Sequence, residues 1–315
     1  MSVLVTGATG FLGRHLALLL VEAGGEVRAL VRPKSDVAEL EAVGVQSIRG
    51  DILEPEAVRE AAAGCEFVFH LAGIVAHERR DRHRLTAVNV EGVRILLSAA
   101  EAGARVVHVS SVAAVGPAPG RDRPADERQP FPAWAEHLPY AASKRAGEEL
   151  ALAAARAGAD VVVANPGFLI GPDDVHQVST WSIRRYLEGA LRFHAPGGLS
   201  VVDARDVAAG LVALAARGRA GERYILTSRE GNLSHAELFR RVGEVTGSPR
   251  RMIGLPRPLA LAVTSAVPWP VKPGEARAAM HWWFYNPAKA ETELGFTTRP
   301  LDETLAATAA QYMGT

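Results

Sequence analysis

The segment from Val3 to Gly13, VLVTGATGFLG, decides the fold, because an apolar run leads directly into three glycines spaced three residues apart. Gly7 permits a tight turn, Gly10 lets backbone amides approach a pyrophosphate, and Gly13 lets the next helix pack closely on the strand. The first turn of that helix offers free N–H groups to an anion. We therefore predict a dinucleotide-binding turn; the alternative is a glycine-rich turn without a ligand.

Outward from this segment, short apolar runs alternate with longer segments of helical period, which is typical of a parallel sheet covered by helices on both faces. Six runs rich in β-branched residues predict strands, at Val3–Val5, Val27–Val31, Val45–Ile48, Phe67–Leu71, Val106–Val109 and Val161–Ala164. Helices are predicted near Gly13–Ala23, Glu54–Ala63, Thr86–Ala102 and Tyr140–Ala157. The predicted fold is α/β, a Rossmann-type doubly wound parallel sheet with a smaller C-terminal substrate lobe.

After Asn165 the pattern changes to turn-rich sequence that holds most of the tryptophans. A strand-like run at Leu199–Val202 precedes a helix near Arg205–Ala216, and Tyr224–Thr227 is suited to return to the sheet. We therefore predict interleaved segments. Residues 1–165 and about 199–227 form the nucleotide-binding domain, and about 166–198 with 228–315 form the substrate lobe.

The composition favours a small-molecule partner. The 315 residues are 48% hydrophobic and carry 35 basic and 35 acidic side chains, so no net charge draws the chain to nucleic acid or an acidic membrane. One cysteine, Cys65, excludes an intramolecular disulfide framework, and no charged leader precedes the first strand, which favours the cytoplasm. The Arg/Asp-rich loop His77–Arg84 is interpreted as solvated surface.

The most lipid-like stretch, Pro258–Val271, carries three prolines and is shorter than the roughly 20 residues that span a bilayer. We therefore predict no membrane span. The stretch is interpreted as a helix that covers a pocket or lies in the core, and contact with a membrane or partner is the alternative.

Arg32 stands 19 residues after Gly13, at the end of the second predicted strand, where an acidic residue would grip the ribose 2′-hydroxyl of NAD. A guanidinium instead suits a 2′-phosphate, and Lys34 lies close by. NADP(H) is therefore preferred over NAD(H), which stays possible. Asp51 is a candidate to hold the adenine amino group, or is an ordinary turn aspartate.

Tyr140 and Lys144 lie four residues apart at the start of a predicted helix, so both project from one face. Phenol, with a pKa near 10, is a poor acid–base catalyst at neutral pH, and a nearby cation lowers that pKa. The chain has only four lysines, which makes this spacing an uncommon coincidence. The pair predicts proton transfer, with Lys144 also donating to the nicotinamide ribose.

Two further polar residues fall where such a site needs them. Ser111 follows the fifth predicted strand, at the sheet edge where doubly wound folds bind ligands, and is suited to hold a substrate oxygen. Asn89, in the preceding helix, is suited to fix a water for proton relay. The sequence shows neither a Gly-x-Ser-x-Gly elbow nor a His-Glu-x-x-His spacing, so neither a serine hydrolase nor a metal site is predicted.

These motifs resemble the extended branch of the short-chain dehydrogenase/reductase superfamily, also called the NAD-dependent epimerase/dehydratase family. The resemblance covers nearly the whole chain and rests on Thr6–Gly13, His70–Gly73, Asn89–Gly92, Val109–Ser111, Tyr140 with Lys144, Asn165–Gly167 and Leu294–Phe296. It is strongest toward dihydroflavonol-reductase-like and 3β-hydroxysteroid-dehydrogenase-like members, which act on ketones, aldehydes or secondary alcohols.

The resemblance implies catalysis by Ser111, Tyr140 and Lys144, with Asn89 in the relay. The expected cofactor contacts are Gly7, Thr9, Gly10, Phe11, Leu12, Gly13, Arg32, Lys34, Asp51, Ile52, Leu71, Ala72, Gly73, Tyr140, Lys144, Pro166, Gly167 and Phe168. Equivalent helices in the family often form a homodimer, which we expect here; burial of the same helices within a monomer would give the same pattern.

Aromatic residues of the second lobe suit a mainly apolar, medium-sized substrate. The expected substrate contacts are Ser111, Tyr140, Phe168, Trp181 and Tyr186, with Phe193, Trp282, Trp283 and Phe284 as further candidates of which about half belong to the core. The chain is therefore expected to be an NADP(H)-dependent carbonyl reductase.

The main alternative is a nucleotide-sugar epimerase or dehydratase with transient hydride transfer. Family members of that type carry an arginine for the nucleotide phosphates where this chain has Leu199, although Arg184, Arg185 or Arg192 are candidates to replace it. The second alternative is a dinucleotide-binding sensor without catalysis, a type that usually lacks the Tyr/Lys pair.

Overall fold

The computed structural model describes residues 1–101, 103–175, 177, 179–266 and 272–313. Its strands are β1 Ser2–Thr6, β2 Glu26–Val31, β3 Gln46–Arg49, β4 Phe67–His70, β5 Arg105–Val109, β6 Val161–Pro166, β7 Phe168–Ile170, β8 Phe193–His194, β9 Gly198–Asp203, β10 Arg223–Leu226, β11 Asn232–Ser234, β12 Ile253–Gly254 and β13 Trp282–Trp283.

The α-helices are α1 Phe11–Glu22, α2 Ala38–Ala42, α3 Pro55–Ala62, α4 Arg82–Thr86, α5 Gly92–Ala99, α6 Val112–Val115, α7 Pro139–Arg156, α8 Trp181–Leu187, α9 Ala204–Arg217, α10 His235–Val245, α11 Arg257–Ala266, α12 Pro273–Ala279, α13 Ala288–Leu294 and α14 Leu301–Met313. Short 3₁₀ turns cover Arg79–Asp81, Ala133–His137 and Arg229–Gly231, and a π-helical turn covers Ala87–Glu91.

A parallel seven-stranded sheet forms the larger lobe, in the order β10-β6-β5-β4-β1-β2-β3. The six predicted strands all lie in it, and the segment near Tyr224 returns as β10 beside β6, with Tyr224 opposite Ala164. The order reverses between β1 and β4, so the carboxyl ends of these strands diverge into a crevice. This is the predicted doubly wound α/β architecture.

Apolar helices cover both faces of this sheet. On one face, α1 and α9 pack through Leu16 and Leu211, both fully buried. On the other face, α3, α5 and α7 pack through residues such as Val58, Leu96 and Ala151. The strand residues are apolar on both sides because both faces are covered, as expected for a parallel sheet.

The smaller lobe is built on a sheet in the order β11-β9-β13, with β7 also paired to β9. Helices α8, α10 and α14 pack on it around Ile183, Leu238 and Leu305. The predicted division placed the run at Leu199–Val202 in the nucleotide-binding domain. The structure places this strand, β9, in the smaller sheet because its hydrogen-bonding partners are β7, β11 and β13, and the returning segment begins at Ala204.

The helix predicted over Thr86–Ala102 is interrupted. Its first part is α4, a π-helical turn spans Ala87–Glu91, and α5 then continues to Ala99. Gly147 of α7 lies so close to this turn that a Cβ would collide with the carbonyl oxygen of Asn89. The wider turn thus places Asn89 against α7, and such bulges are frequent at functional sites.

The apolar stretch Pro258–Val271 forms α11 as far as Ala266, and Val271 lies outside the described residues. Ala260 packs with Ala276 and Met280 beside the cleft described below. Within the described parts of the chain, no helix combines the length and apolarity needed to cross a bilayer.

We expect Gly13→Ala to destabilise the protein, because a Cβ at this position would collide with the carbonyl oxygen of Gly7. Overpacking of this kind costs about 1–3 kcal/mol. Urea unfolding followed by circular dichroism measures this loss. Gly120→Ala is the matched control, since a Cβ there meets no atom within 4 Å. Equal stability of both variants would contradict the close packing of α1 on β1.

Candidate active site

A cleft of about 1020 Å³ lies at the carboxyl edge of the large sheet and continues between the two lobes. Its floor is formed by the glycine turn after β1 and the ends of β4 and β5, and its far wall by residues of β8, β9, α10 and α12. This is the crevice at which doubly wound folds bind ligands.

The glycine turn has the geometry of a phosphate cradle. Gly7 adopts a φ of +75°, which L side chains rarely adopt, and its carbonyl accepts a hydrogen bond from the Gly10 amide at 3.0 Å. Helix α1 begins at Phe11, and no described side chain caps its N-terminus, so its first amides stay available for an anion. The residues present therefore fit a dinucleotide pyrophosphate.

A buried hydrogen-bond chain joins the ends of β1 and β4 beside this cradle. The Thr6 hydroxyl lies 2.8 Å from Nδ1 of His70 and accepts from the Ala72 amide at 3.1 Å. Burial lowers the pKa of His70 to about 3, so its imidazole is neutral. These hydrogen bonds fix the segment at Leu71–Gly73 against the glycine turn.

Ser111 and Tyr140 meet on the floor of the cleft. Ser111 follows β5 and caps α6, with its Oγ accepting from the Ala113 amide at 3.1 Å. Tyr140 lies in the first turn of α7, and it lines the cleft together with Ser111, which lowers the pKa of the phenol against the effect of burial. A carbonyl oxygen placed between these hydroxyls would receive two hydrogen bonds.

Lys144 lies one turn further along α7 and is 7% exposed. Its Nζ donates to the carbonyl oxygen of Val109 at 3.0 Å. Burial lowers its pKa to about 8, against the raising effect of the Glu148 carboxylate. This buried cation is thus held by the end of β5.

The pKa of Tyr140 shifts in the direction opposite to the expectation. We expected Lys144 to lower it. Burial raises the pKa of Tyr140, and the hydrogen bond with Ser111 opposes that effect only in part. The reason is that desolvation disfavours the phenolate, while the Lys144 ammonium is directed toward Val109. The phenol is therefore protonated at neutral pH.

Asn89 lies behind Lys144 and joins three segments. Its side-chain oxygen accepts from the Ile74 amide at 2.9 Å, and its Nδ2 donates to the Ile74 carbonyl and to Ser143 Oγ, both at 3.0 Å. Ser143 in turn donates to the Tyr140 carbonyl at 2.8 Å. Asn89 therefore fixes the loop after β4 relative to the first turn of α7.

Glu148 was missed by the sequence analysis. It is 2% exposed, accepts from Arg223 at 3.0 Å, and also accepts from Nδ2 of Asn165. Its signal was present in the sequence, because Tyr140, Lys144 and Glu148 repeat every four residues on one helix face. Glu148 is the buried counter-charge of the site.

The structure brings most predicted cofactor contacts to the cleft wall. Those that line it are Gly7, Gly10, Phe11, Leu12, Gly13, Leu71, Gly73, Tyr140, Lys144, Pro166, Gly167 and Phe168. Those outside the cleft are Thr9, Arg32, Lys34, Asp51, Ile52 and Ala72. Asp51 accepts from the Leu53 amide at 3.0 Å, and Ile52 is buried against α5, so both have structural contacts.

Arg32 and Lys34 are exposed in the turn after β2. Arg49, at the end of β3, donates to the carbonyl oxygens of Arg32, Pro33 and Ser35. This third cation was also missed, and only the pairing of β2 with β3 brings it to the turn. The turn therefore concentrates positive charge where the second strand ends.

Of the predicted substrate contacts, Phe168 and Trp181 line the cleft, but Tyr186 does not. Tyr186 is fully buried in the core of the smaller lobe, with its ring stacked on Phe239 at 5.3 Å and its hydroxyl accepting from the Arg250 amide. The prediction for Tyr186 is wrong because its helix, α8, turns this side chain toward α10. Among the further candidates, the structure places Phe193 and Trp283 in the lining and leaves Trp282 and Phe284 outside it.

The loop His77–Arg84 is not merely solvated surface. Several of its residues line the cleft, and the ring of His77 lies 5.7 Å from that of Tyr140 in an edge-on arrangement. Glu78 accepts from the Gly274 amide at 2.8 Å, which ties the loop to α12. The interpretation from composition alone is wrong because the loop is held over the cleft by the smaller lobe.

The fold and this site define a nicotinamide-dinucleotide-dependent enzyme class. The chain belongs to the NAD dependent epimerase/dehydratase family, whose model matches residues 3–226, and so to the extended short-chain dehydrogenases/reductases. Members of this family bind NAD(P). Membership therefore supports an NAD(P)-dependent oxidoreductase or epimerase activity for this chain.

Named relatives of this chain include reductase-like proteins. It is 34% identical over 259 residues to sterol demethylase protein B of Methylococcus capsulatus, covering 81% of this chain and 78% of that protein. It is 33% identical over 318 residues to a Synechocystis sp. protein described as a dihydroflavonol 4-reductase, covering 96% and 92%. The crystal structure of gox2253 superposes with a TM-score of 0.86 at 30% identity, covering 99% and 97%.

We expect Glu148→Gln to shift the alkaline limb of the pH–activity profile to lower pH. The carboxylate raises the pKa of Lys144, so its removal lets the ammonium lose its proton at a lower pH than the value of about 8 in the wild type. Because one pKa unit corresponds to a factor of ten, kcat/KM above that pH falls by roughly up to tenfold. The profile is measured with the nicotinamide dinucleotide that the enzyme accepts and any accepted substrate.

Glu149→Gln is the control for this variant. Glu149 is the next residue of α7, is exposed, and pairs with Arg145 at 2.5 Å. An unchanged alkaline limb in Glu148→Gln, or an equal shift in both variants, would show that Glu148 does not tune Lys144.

Proposed function

We propose that this chain is an NADP(H)-dependent oxidoreductase that transfers hydride between the nicotinamide and a carbonyl or secondary alcohol of a medium-sized, mainly apolar substrate. The observation that carries the proposal is the placement of Ser111, Tyr140 and Lys144 in one cleft with the glycine turn that forms the phosphate cradle.

Each residue of the site has a separate role in the proposed carbonyl reduction. Bound NADPH supplies a hydride from C4 of the nicotinamide to the carbonyl carbon. Ser111 holds the carbonyl oxygen, and Tyr140 transfers its hydroxyl proton to that oxygen as the C–O double bond becomes single. The raised pKa of Tyr140 suits this direction, because the group that donates a proton must first retain it.

Lys144 and Asn89 support the proton transfer. The ammonium of Lys144 supplies buried positive charge one helical turn from Tyr140, and we propose that it also donates to the nicotinamide ribose. Asn89 fixes the loop at Ile74 and the start of α7, and so the distance between the sheet edge and the phenol. Solvent then returns the proton to Tyr140.

The substrate side of the cleft supports an apolar compound. Its lining includes the rings of Phe168, Trp181 and Trp283 and the aliphatic side chains of Leu199 and Leu238. Apolar walls with a few convergent polar groups are typical of small-molecule sites. The names of the relatives, a sterol demethylase protein and a dihydroflavonol reductase, point to compounds built on several rings.

NADP(H) is the proposed cofactor because the turn after β2 carries Arg32 and Lys34, with Arg49 beneath it. An acidic residue at this position would repel a 2′-phosphate. The guanidinium of Arg32 can instead bind the 2′-phosphate with two hydrogen bonds.

We also propose that the protein is cytoplasmic and forms a homodimer. The homodimer is supported by partly exposed apolar side chains on the helices next to Asn89 and Tyr140, namely Ile95, Leu97 and Leu152. A paired copy would bury them further.

Tyr140→Phe is expected to lower kcat by several orders of magnitude while leaving NADPH binding intact. The variant keeps the ring in place but removes the proton that the carbonyl oxygen must receive. Stopped-flow NADPH oxidation measures turnover, and fluorescence titration measures binding. Retained turnover would assign the proton to another acid.

The same assay distinguishes the alternatives. A panel of ketones, aldehydes and nucleotide sugars is scored for NADPH oxidation and for epimerisation that retains the cofactor. Epimerisation would favour a nucleotide-sugar enzyme, for which Arg192 in the cleft lining would have to replace the cation absent at Leu199. Tight NADPH binding without turnover across the panel would favour a sensor.

Arg32→Ala is expected to lower kcat/KM for NADPH by roughly ten- to a hundredfold and to leave that for NADH nearly unchanged. One charge-assisted bidentate contact to phosphate accounts for a loss of this size. Steady-state kinetics with both cofactors measure the ratio. An NADH preference in the wild type, unaffected by the substitution, would reject NADP(H) as the cofactor.

A further inference from the structure

Three large apolar side chains are exposed on segments that border the cleft. Phe193, Ile253 and Leu259 have exposures of 48%, 49% and 50%. Phe193 and Ile253 are paired partners of β8 and β12, and Leu259 precedes Ala260, which lines the cleft. We call these three residues the rim patch. It is continuous with the proposed substrate cavity, because Phe193 itself lines the cleft.

Arginines border this patch on each of its segments. Arg192 precedes Phe193, Arg251 lies two residues before Ile253, and Arg257 lies two residues before Leu259. All three are exposed, and none forms a salt bridge within the described residues. The sequence has no Asp or Glu between residues 189 and 202 or between 245 and 274. These two segments of a chain of zero net charge are therefore both apolar and positive.

Such a combination is typical of surfaces that lie in a membrane interface. Apolar side chains insert between headgroups, and each adjacent basic residue adds attraction to anionic lipid. We propose that the rim patch docks the protein on an anionic lipid surface, with the cleft opening toward the bilayer. The docking itself does not depend on the proposed function, whereas delivery of an apolar substrate from the bilayer rests on it.

Charge favours lipid over a second copy of the chain as the occupant. In a twofold dimer the same surface faces itself, so the arginines of one patch would approach those of the other. Like charges at an interface are unfavourable, whereas phosphate headgroups would neutralise them. Phe193 both lines the cleft and is exposed, which suits entry of a substrate dissolved in the lipid.

Vesicle flotation of the full chain tests the proposal without cofactor or substrate. We expect binding to vesicles of equal parts phosphatidylcholine and phosphatidylglycerol, and little binding to phosphatidylcholine alone. The double variant Arg251→Glu/Arg257→Glu should weaken binding about tenfold or more, as should Phe193→Ser/Leu259→Ser. Added salt should weaken the wild type in the same direction.

Matched controls lie on the large lobe. Arg59→Glu/Arg94→Glu reverses two exposed arginines, with side chains 65% and 56% exposed, and Val43→Ser/Leu53→Ser removes two exposed apolar side chains. These variants should bind the anionic vesicles as the wild type does. Thermal melting of each variant shows that it is folded.

Several outcomes would overturn the proposal. They are equal binding to both vesicle types, binding to neither, and equal losses in the control variants. If the patch variants instead abolish a dimer in size-exclusion chromatography, the rim patch is an interface between two copies. Because binding is measured without turnover, failure here is separate from failure of the proposed reduction.

Discussion

The buried ammonium of Lys144 is the constraint on which the site depends. A cation that is only 7% exposed needs strong partners, and the structure provides the Val109 carbonyl at 3.0 Å and the Glu148 carboxylate one helical turn away. These contacts hold α7 against the end of β5. The same placement brings Tyr140 into the cleft with Ser111, so a requirement of burial also sets the geometry for the proton transfer that we propose.

The cleft combines two environments that suit different parts of the proposed reaction. At the sheet edge, backbone amides, hydroxyls and one ammonium face the region where a dinucleotide fits, while the wall from the smaller lobe is aromatic and aliphatic. Interactions between charges are stronger in such an enclosed site than in water. The apolar wall continues outward to the rim patch, because Phe193 belongs to both. The proposed substrate cavity is therefore connected to the surface that we propose docks on lipid.

Predictions from the sequence succeeded where a local pattern has one physical meaning. The strands near Val3, Val106 and Val161 were predicted because a buried parallel strand requires a continuous apolar run, and all three lie in the large sheet. Periodicity cannot say which sheet a strand joins, so β9 was placed in the wrong lobe. Composition also failed for the loop at His77, whose polar residues face the cleft because Glu78 binds α12.

The sequence by itself determined the glycine turn before α1 and the placement of Tyr140 and Lys144 on one face of α7, because both depend on spacings within one turn or one helix. Only the tertiary structure decided that Glu148 and Arg223 neutralise each other beside that pair, that Tyr186 lies in the core, and that Arg49 supports the turn at Arg32. These facts depend on contacts between segments distant in the chain. Local periodicity carries no information about such contacts, since they are set by how the sheets and helices pack.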